Sequence, residues 1–165
     1  MNLEGSCHCG GVRSRLGSAH PYPFNRCYCS ICRRTAGGGG YAVNLGGDHS
    51  SLEVEEEGSL GVYRAVILDD KTGNTRTSPA RRHFCKLCGS ALWVWDPRWP
   101  ELVHPHASAI DTELPVPPQQ THLMVGSKPA WVELHADPDD RVFVACPEES
   151  LAAWHQRMGL EEPED

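Results

Sequence analysis

Gly5-Ser6-Cys7-His8-Cys9-Gly10-Gly11-Val12-Arg13-Ser14-Arg15-Leu16 sets two thiols one residue apart, follows them with glycines, and then alternates apolar Val12 and Leu16 with polar side chains. A disulfide within a Cys-x-Cys is strained. On a turn, both sulfurs can instead face one soft cation, and a following glycine permits φ > 0 so that backbone amides approach the thiolates. The alternating run reads as a strand with one buried face. A thiol-bearing turn leading into a short strand is therefore the first element.

Further along the chain the same pattern predicts strands at Tyr41 to Leu45, Gly61 to Leu68, Ala91 to Trp95 and Trp131 to Leu134. Between them lie Gly37 to Gly40, Gly46-Gly47-Asp48, Asp96-Pro97 and Pro115 to Pro118, which sheet interiors do not accept. Asp69 to Asn74 reads as a polar hairpin end. The expected fold is mainly β, built of short antiparallel strands joined by irregular loops. One exception closes the chain: Leu151, Trp154 and Met158 recur at helical spacing, with Arg157 in the last turn and Gly159 after it. This short C-terminal helix packs its apolar stripe on the core. Glu161 to Asp165 reads as a solvated acidic tail, and residues 1–165 as a single domain.

With 165 residues, the chain can bury a core without disulfides or metals, so its eight cysteines need another reason. They are too sparse for a disulfide scaffold, and the first residues lack the basic and apolar segments of a secretory signal. A cytoplasmic protein is expected, with no membrane span, since the apolar runs are strand-sized. A net charge of −7 argues against nucleic acid as a partner. The Glu53, Glu55, Glu56 and Glu57 run is expected to face solvent.

Seven of the eight cysteines fall into three groups: Cys7 and Cys9; Cys27, Cys29 and Cys32; Cys85 and Cys88. Zinc is the default cation for such spacing, ahead of an iron–sulfur cluster or disulfides. Cys85-Lys86-Leu87-Cys88 alone would also fit a redox dithiol, but that motif belongs at a helix start in a βαβ unit, which this chain lacks. Seven thiolates divide into four and three. Cys27-x-Cys29-x-x-Cys32 can form a compact tripod with an open fourth position, leaving Cys7 and Cys9 to meet Cys85 and Cys88. Spacing leaves open a histidine that completes the tripod, or a different pairing of the groups.

At these residues the chain resembles the glutathione-dependent formaldehyde-activating enzyme family, also named for centromere protein V, whose zinc-binding fold is shared with Mss4-like proteins. The resemblance rests on Gly5 to Arg13, Cys27 to Arg34, Phe84 to Ser90, and His122 with Ser127-Lys128-Pro129-Ala130-Trp131. It covers about residues 3–134; a C-terminal strand and helix at 141–160 and the tail at 161–165 follow. It implies a zinc-stapled β-tent, a structural zinc on Cys7, Cys9, Cys85 and Cys88, and a second, exchangeable zinc on Cys27, Cys29 and Cys32. It implies a carbon–sulfur lyase that reversibly joins a small thiol, glutathione, to an aldehyde such as formaldehyde. Arg33, Arg34 and Lys128 are candidate partners for the thiol's carboxylates. The alternatives are a noncatalytic zinc module and a thiol or zinc sensor.

Other residues are given plainer roles. Cys146 is read as a small apolar residue ahead of the helix, and His8, His104 and His106 as surface or core histidines. His122 is at most a support for the site. Gly37 to Gly40 is a hinge or turn and not a phosphate loop, for no Gly-Lys-Ser/Thr follows.

Overall fold

The alternation that begins at Val12 continues in three dimensions: Val12 and Leu16 are buried while Arg13 and Arg15 are exposed, and Leu3 lies directly across from Leu16. In the structure, a computed structural model, residues 1–160 are described except Glu57 and Asp70. The acidic tail and those two positions lie outside the described residues.

In chain order the first half holds β1 (Asn2–Ser6), β2 (Val12–Gly17), β3 (Phe24–Cys27), α1 (Cys32–Thr35), β4 (Ala42–Asn44), β5 (Gly47–Asp48) and β6 (Glu53–Glu56). The second half holds β7 (Leu60–Tyr63), β8 (Val66–Leu68), β9 (Thr75–Thr77), β10 (Arg81–Cys85), β11 (Ala91–Trp95), β12 (Leu102–Pro105), β13 (Gln120–Leu123), β14 (Arg141–Val142) and α2 (Leu151–Arg157). Three antiparallel strands run β1-β2-β6, and five run β5-β12-β11-β10-β7. A third sheet, β14-β13-β3-β4, is mixed, because β13 runs parallel to both β3 and β14. The hairpin β8-β9 stands apart.

The main core draws Leu3, Val12, Leu16, Leu45, Leu92, Trp93 and Val103 together with the thiols Cys7 and Cys85. A smaller cluster of Cys27, Cys32 and Ala42 is flanked by Leu123 and Met124. Both cysteine groups are thus rooted in packed side chains. β6 is exposed along its length, and Arg15 lies 3.7 and 3.9 Å from Glu53 and Glu55. The helix forms where the apolar spacing places it, with Trp154 only 2% exposed. Ser150 caps it, its hydroxyl accepting from the Ala153 amide at 3.1 Å.

Two predicted strands differ. Gly61 to Leu68 divides into β7 and β8, in separate sheets. At the break Ala65 is buried, Ser78 donates its amide to the Ala65 carbonyl at 2.7 Å, and the Arg64 Nε donates to the Ser78 carbonyl at 2.9 Å. Trp131 to Leu134 forms no strand. Val132 donates its amide to the Pro129 carbonyl at 3.1 Å, and the Lys128 ammonium donates to the Val132 carbonyl, so local bonds take the groups a ladder would use.

Candidate metal and thiol site

The four-cysteine group is assembled by two turns of similar design. After β1, the Gly10 amide donates to the Cys7 carbonyl at 3.0 Å; after β10, the Gly89 amide donates to the Cys85 carbonyl at 2.8 Å. Gly10 and Gly89 hold φ of 73° and 76°, the left-handed geometry the sequence anticipates after each thiol pair. The Val12 amide donates to the Cys7 sulfur at 3.3 Å. The Cys7, Cys9, Cys85 and Cys88 sulfurs all lie within 4.8 Å of one another, with Cys7–Cys9 at 3.5 Å and Cys9–Cys85 at 3.7 Å. Sulfurs at the corners of a tetrahedral zinc site sit about 3.8 Å apart, given a Zn–S length of ~2.3 Å. The set therefore fits such an ion, and all eight cysteines are free thiols. Hydrogen bonds from Ser90 draw the Cys88 thiol down to about 5. The Gly11 amide favours a charged Cys9, but the contacts with Cys7 and Cys88 outweigh it and push that thiol up to about 12.

The second group is built at the end of β3, where Cys27 faces Ala42 on one side and Leu123 on the other in register. The chain then turns, and Cys32 opens α1. Its amide donates to the Cys29 sulfur at 3.3 Å. Cys27, Cys29 and Cys32 also lie within 4.8 Å of one another, and no further His, Cys, Asp or Glu joins them among the described residues. Contacts from Cys27 and Cys32 pull Cys29 down to about 2, while donation to Cys29 and Cys32, with burial, pushes Cys27 up. The geometry is a three-sulfur tripod with no fourth protein ligand among the described residues.

What surrounds the tripod was only partly visible in the sequence. Tyr28, between two of the cysteines, is buried, with its hydroxyl 3.0 Å from His122 Nδ1. His122 Nε2 lies 3.2 Å from Asp140. Burial opposes ionisation of Asp140, yet the Gln120 and Asp137 amides and His122 hold it below the usual carboxylate range. An ionised Asp140 only accepts, so His122 donates to it from Nε2. The chain Asp140–His122–Tyr28 fixes the loop that carries Cys27 and Cys29. His122 lies upstream of Ser127-Lys128-Pro129-Ala130-Trp131 in the segment that resembles the family; Asp140 carries no spacing signal that ties it to the site.

Arg82 on β10 was missed as well. Its Nη2 lies 4.0 Å from the Cys32 sulfur, and its Nε and Nη1 are buried without a hydrogen-bond partner.

An open groove of about 800 Å³ lies beside the Cys7 turn and the exposed side of α1, lined by Cys7, His8, Arg33, Arg34, Gly37 and Asp111 among others; Cys27, Cys29 and Cys32 are not in its lining. Arg33 and Arg34 thus share one groove, with Arg34 exposed and Arg33 partly buried. Lys128 does not line it, and its ammonium is directed to the Val132 and Pro129 carbonyls. The Gly37 to Gly40 stretch forms a turn closed by the Gly40 amide on the Gly37 carbonyl at 3.2 Å. His106 is buried, and His104 Nδ1 lies 3.0 Å from the Leu45 carbonyl oxygen, so neither joins a thiol group. Cys146 is exposed, its thiol 3.7 Å from the Met124 sulfur, because it lies in an open bend beyond β14 and not in the core.

Residues 2–127 match the family model described as glutathione-dependent formaldehyde-activating enzyme. A Halomonas elongata protein, provisionally named a glutathione-dependent formaldehyde-activating enzyme, is 60% identical over 162 residues, 98% of this chain and 99% of its own length. A crystal structure of a Rhodobacter sphaeroides protein has a TM-score of 0.50 at 25% identity, covering 70% of this chain and 92% of that one.

Proposed function

We propose, because the chain belongs to the glutathione-dependent formaldehyde-activating enzyme family, that it reversibly adds the thiol of glutathione to formaldehyde as a zinc-dependent carbon–sulfur lyase. A carbon–sulfur bond forms, the carbonyl π pair moves to oxygen, and the thiol proton ends on that oxygen, giving a hydroxymethyl thioether with nothing oxidised or reduced. The observation that carries the reading is the tripod: three sulfurs within 4.8 Å and no fourth protein ligand among the described residues.

Cys7, Cys9, Cys85 and Cys88 would hold a structural zinc, and Cys27, Cys29 and Cys32 a second one. When bound, the second ion supplies stabilisation of the incoming thiol as its thiolate, the nucleophilic form. Three thiolates leave one net negative charge, which favours holding and placing the thiol over polarising the carbonyl. Leu123 and Met124, packed against the cysteines, shield that side from water. Tyr28, His122 and Asp140 keep the Cys27-Tyr28-Cys29 loop in position. Arg33 and Arg34 offer the groove's guanidinium donors to the carboxylates of glutathione; Lys128 is a further candidate only by leaving its bonds to the Val132 and Pro129 carbonyls. The free thiols suit a reducing cytoplasm.

The test follows the product directly, by NMR of ¹³C-formaldehyde mixed with glutathione and catalytic amounts of the zinc-loaded protein. Exchange into the S-hydroxymethyl signal should be faster than the spontaneous reaction. Replacing Arg33 and Arg34 together by Ala should weaken glutathione binding by roughly tenfold or more while a neutral thiol such as 2-mercaptoethanol is unaffected. Acceleration absent from the intact protein would remove the lyase reading, and equal losses for both thiols would remove the arginines from the carboxylate role.

A further inference from the structure

Arg82 is set in the five-stranded sheet, directly across from Val94, which is in turn across from His104. Cross-strand neighbours share a face, and positions two apart along a strand return to it. Arg82, Val94 and His104 therefore make one row, with Asp96 and His106 on the same face. His106 is bridged to Asn44 of β4, which joins this sheet to the one carrying Cys27. The guanidinium is consequently partly covered where the sheets meet, with Nη2 4.0 Å from the Cys32 sulfur of the tripod.

Arg82 is partly buried, with its Nε and Nη1 shielded from solvent, and a cation withdrawn from water to that extent calls for a counter-charge. Asp96, the carboxylate on that face, is already engaged by Arg98, which donates from Nε at 3.0 Å and from Nη2 at 2.6 Å. No ion pair to Arg82 is formed among the described residues. The polar contact it makes is with the Cys32 sulfur at 4.0 Å, while its buried Nε and Nη1 meet no acceptor. His106 Nδ1 and Asn44 Oδ1 are likewise buried and unpartnered, so neither serves it. A structural salt bridge does not explain this arginine.

We propose that Arg82 is a positioning residue that supplies the counter-charge of the Cys27, Cys29 and Cys32 metal centre. This rests on the reading of the tripod as a zinc site. A divalent cation on three thiolates has one net negative charge, and burying that charge disfavours metal binding; one guanidinium beside Cys32 brings the centre to neutrality. The same charge matters when substrate arrives. A thiolate in the fourth position would take the ligand set to two net negative charges, and Arg82 halves that excess. Metal retention at the tripod and acceptance of an anionic fourth ligand therefore both depend on a residue outside the ligand set.

Zinc release is measured for the wild-type protein and for Arg82→Met and Arg82→Lys, by titrating a chromogenic chelator and counting metals by native mass spectrometry. Wild-type protein should give up its two zincs separately. In Arg82→Met the tripod zinc should be lost at a chelator concentration lower by on the order of tenfold or more, the range for changes just outside a ligand set, while the four-cysteine zinc is unmoved and reports an intact fold. Arg82→Lys, which keeps the charge, should recover most of the affinity. Two zincs held equally tightly in wild type and Arg82→Met would overturn the assignment. So would a folded Arg82→Lys as weak as Arg82→Met, because the charge would then not be what matters. A single zinc in the wild-type protein would instead overturn the tripod reading and the inference with it.

Discussion

Each cysteine in the two groups has a distinct burden, and single substitutions should separate them. Cys88 completes a set that ties the β1 turn to the β10 turn, so Cys88→Ser should release that zinc and lower the melting temperature sharply or prevent folding. Cys29 lies in the short link before α1, so Cys29→Ser should lose one zinc and thiol binding while the circular dichroism spectrum stays that of the parent. A Cys88→Ser protein that melts normally, or a Cys29→Ser protein that unfolds, would reverse these roles. The three short cysteine clusters were legible in the sequence because spacing of one to three residues on a turn is local, whereas spacing left open that Cys7 and Cys9 meet Cys85 and Cys88, 76 residues along the chain from Cys9 to Cys85. Arg82 and Asp140 were not legible, since they reach Cys32 and His122 across 50 and 18 residues and only the sheet registers bring them there. The position of Lys128 was likewise not legible: the fold directs its ammonium to the Val132 and Pro129 carbonyls.

At the scale of elements, α2 is the clearest case of sequence and structure agreeing, because both its period and its cap are local. Trp154 buries its ring, with indole Nε1 donating to Gln119 at 3.1 Å, and Ser150 closes the first turn. Trp154→Ala should destabilise the protein by about 3–5 kcal/mol and Ser150→Ala by about 1 kcal/mol in urea unfolding. Equal, small effects would mean the helix is not docked. The strands were read less well where tertiary bonds compete with alternation. Trp131 to Leu134 has apolar residues, but Pro129 and Lys128 close it into a turn and leave Trp131 69% exposed. The parallel pairing of β13 with β3 could not be read from alternation, which fixes the faces of a strand and not its partner. That pairing nevertheless sets the site, because it aligns Leu123 with Cys27 and His122 with Arg26.

For the molecule as a whole, pH stability depends on histidines held neutral between packed sheets. Burial, aided by the charges of Arg82 and His104, brings His106 down to about 4 from an ordinary 6.5. Between those values the unfolded chain takes up a proton that the folded protein refuses, so stability is lost as pH falls from 6.5 towards about 4 and is unaffected by this group above that window. His106→Gln should flatten the fall in melting temperature across the window; an unchanged slope would show that His106 does not titrate on unfolding. Among the described residues no helix is long and apolar enough to cross a membrane. The claim that most needs testing is that one cluster is closed and the other open. Native mass spectrometry of the zinc-loaded protein, with and without millimolar glutathione, reads both at once. Two zincs are expected, with either one glutathione adduct or loss of one zinc as glutathione binds; two zincs indifferent to the thiol, or a single zinc, would contradict a closed and an open site.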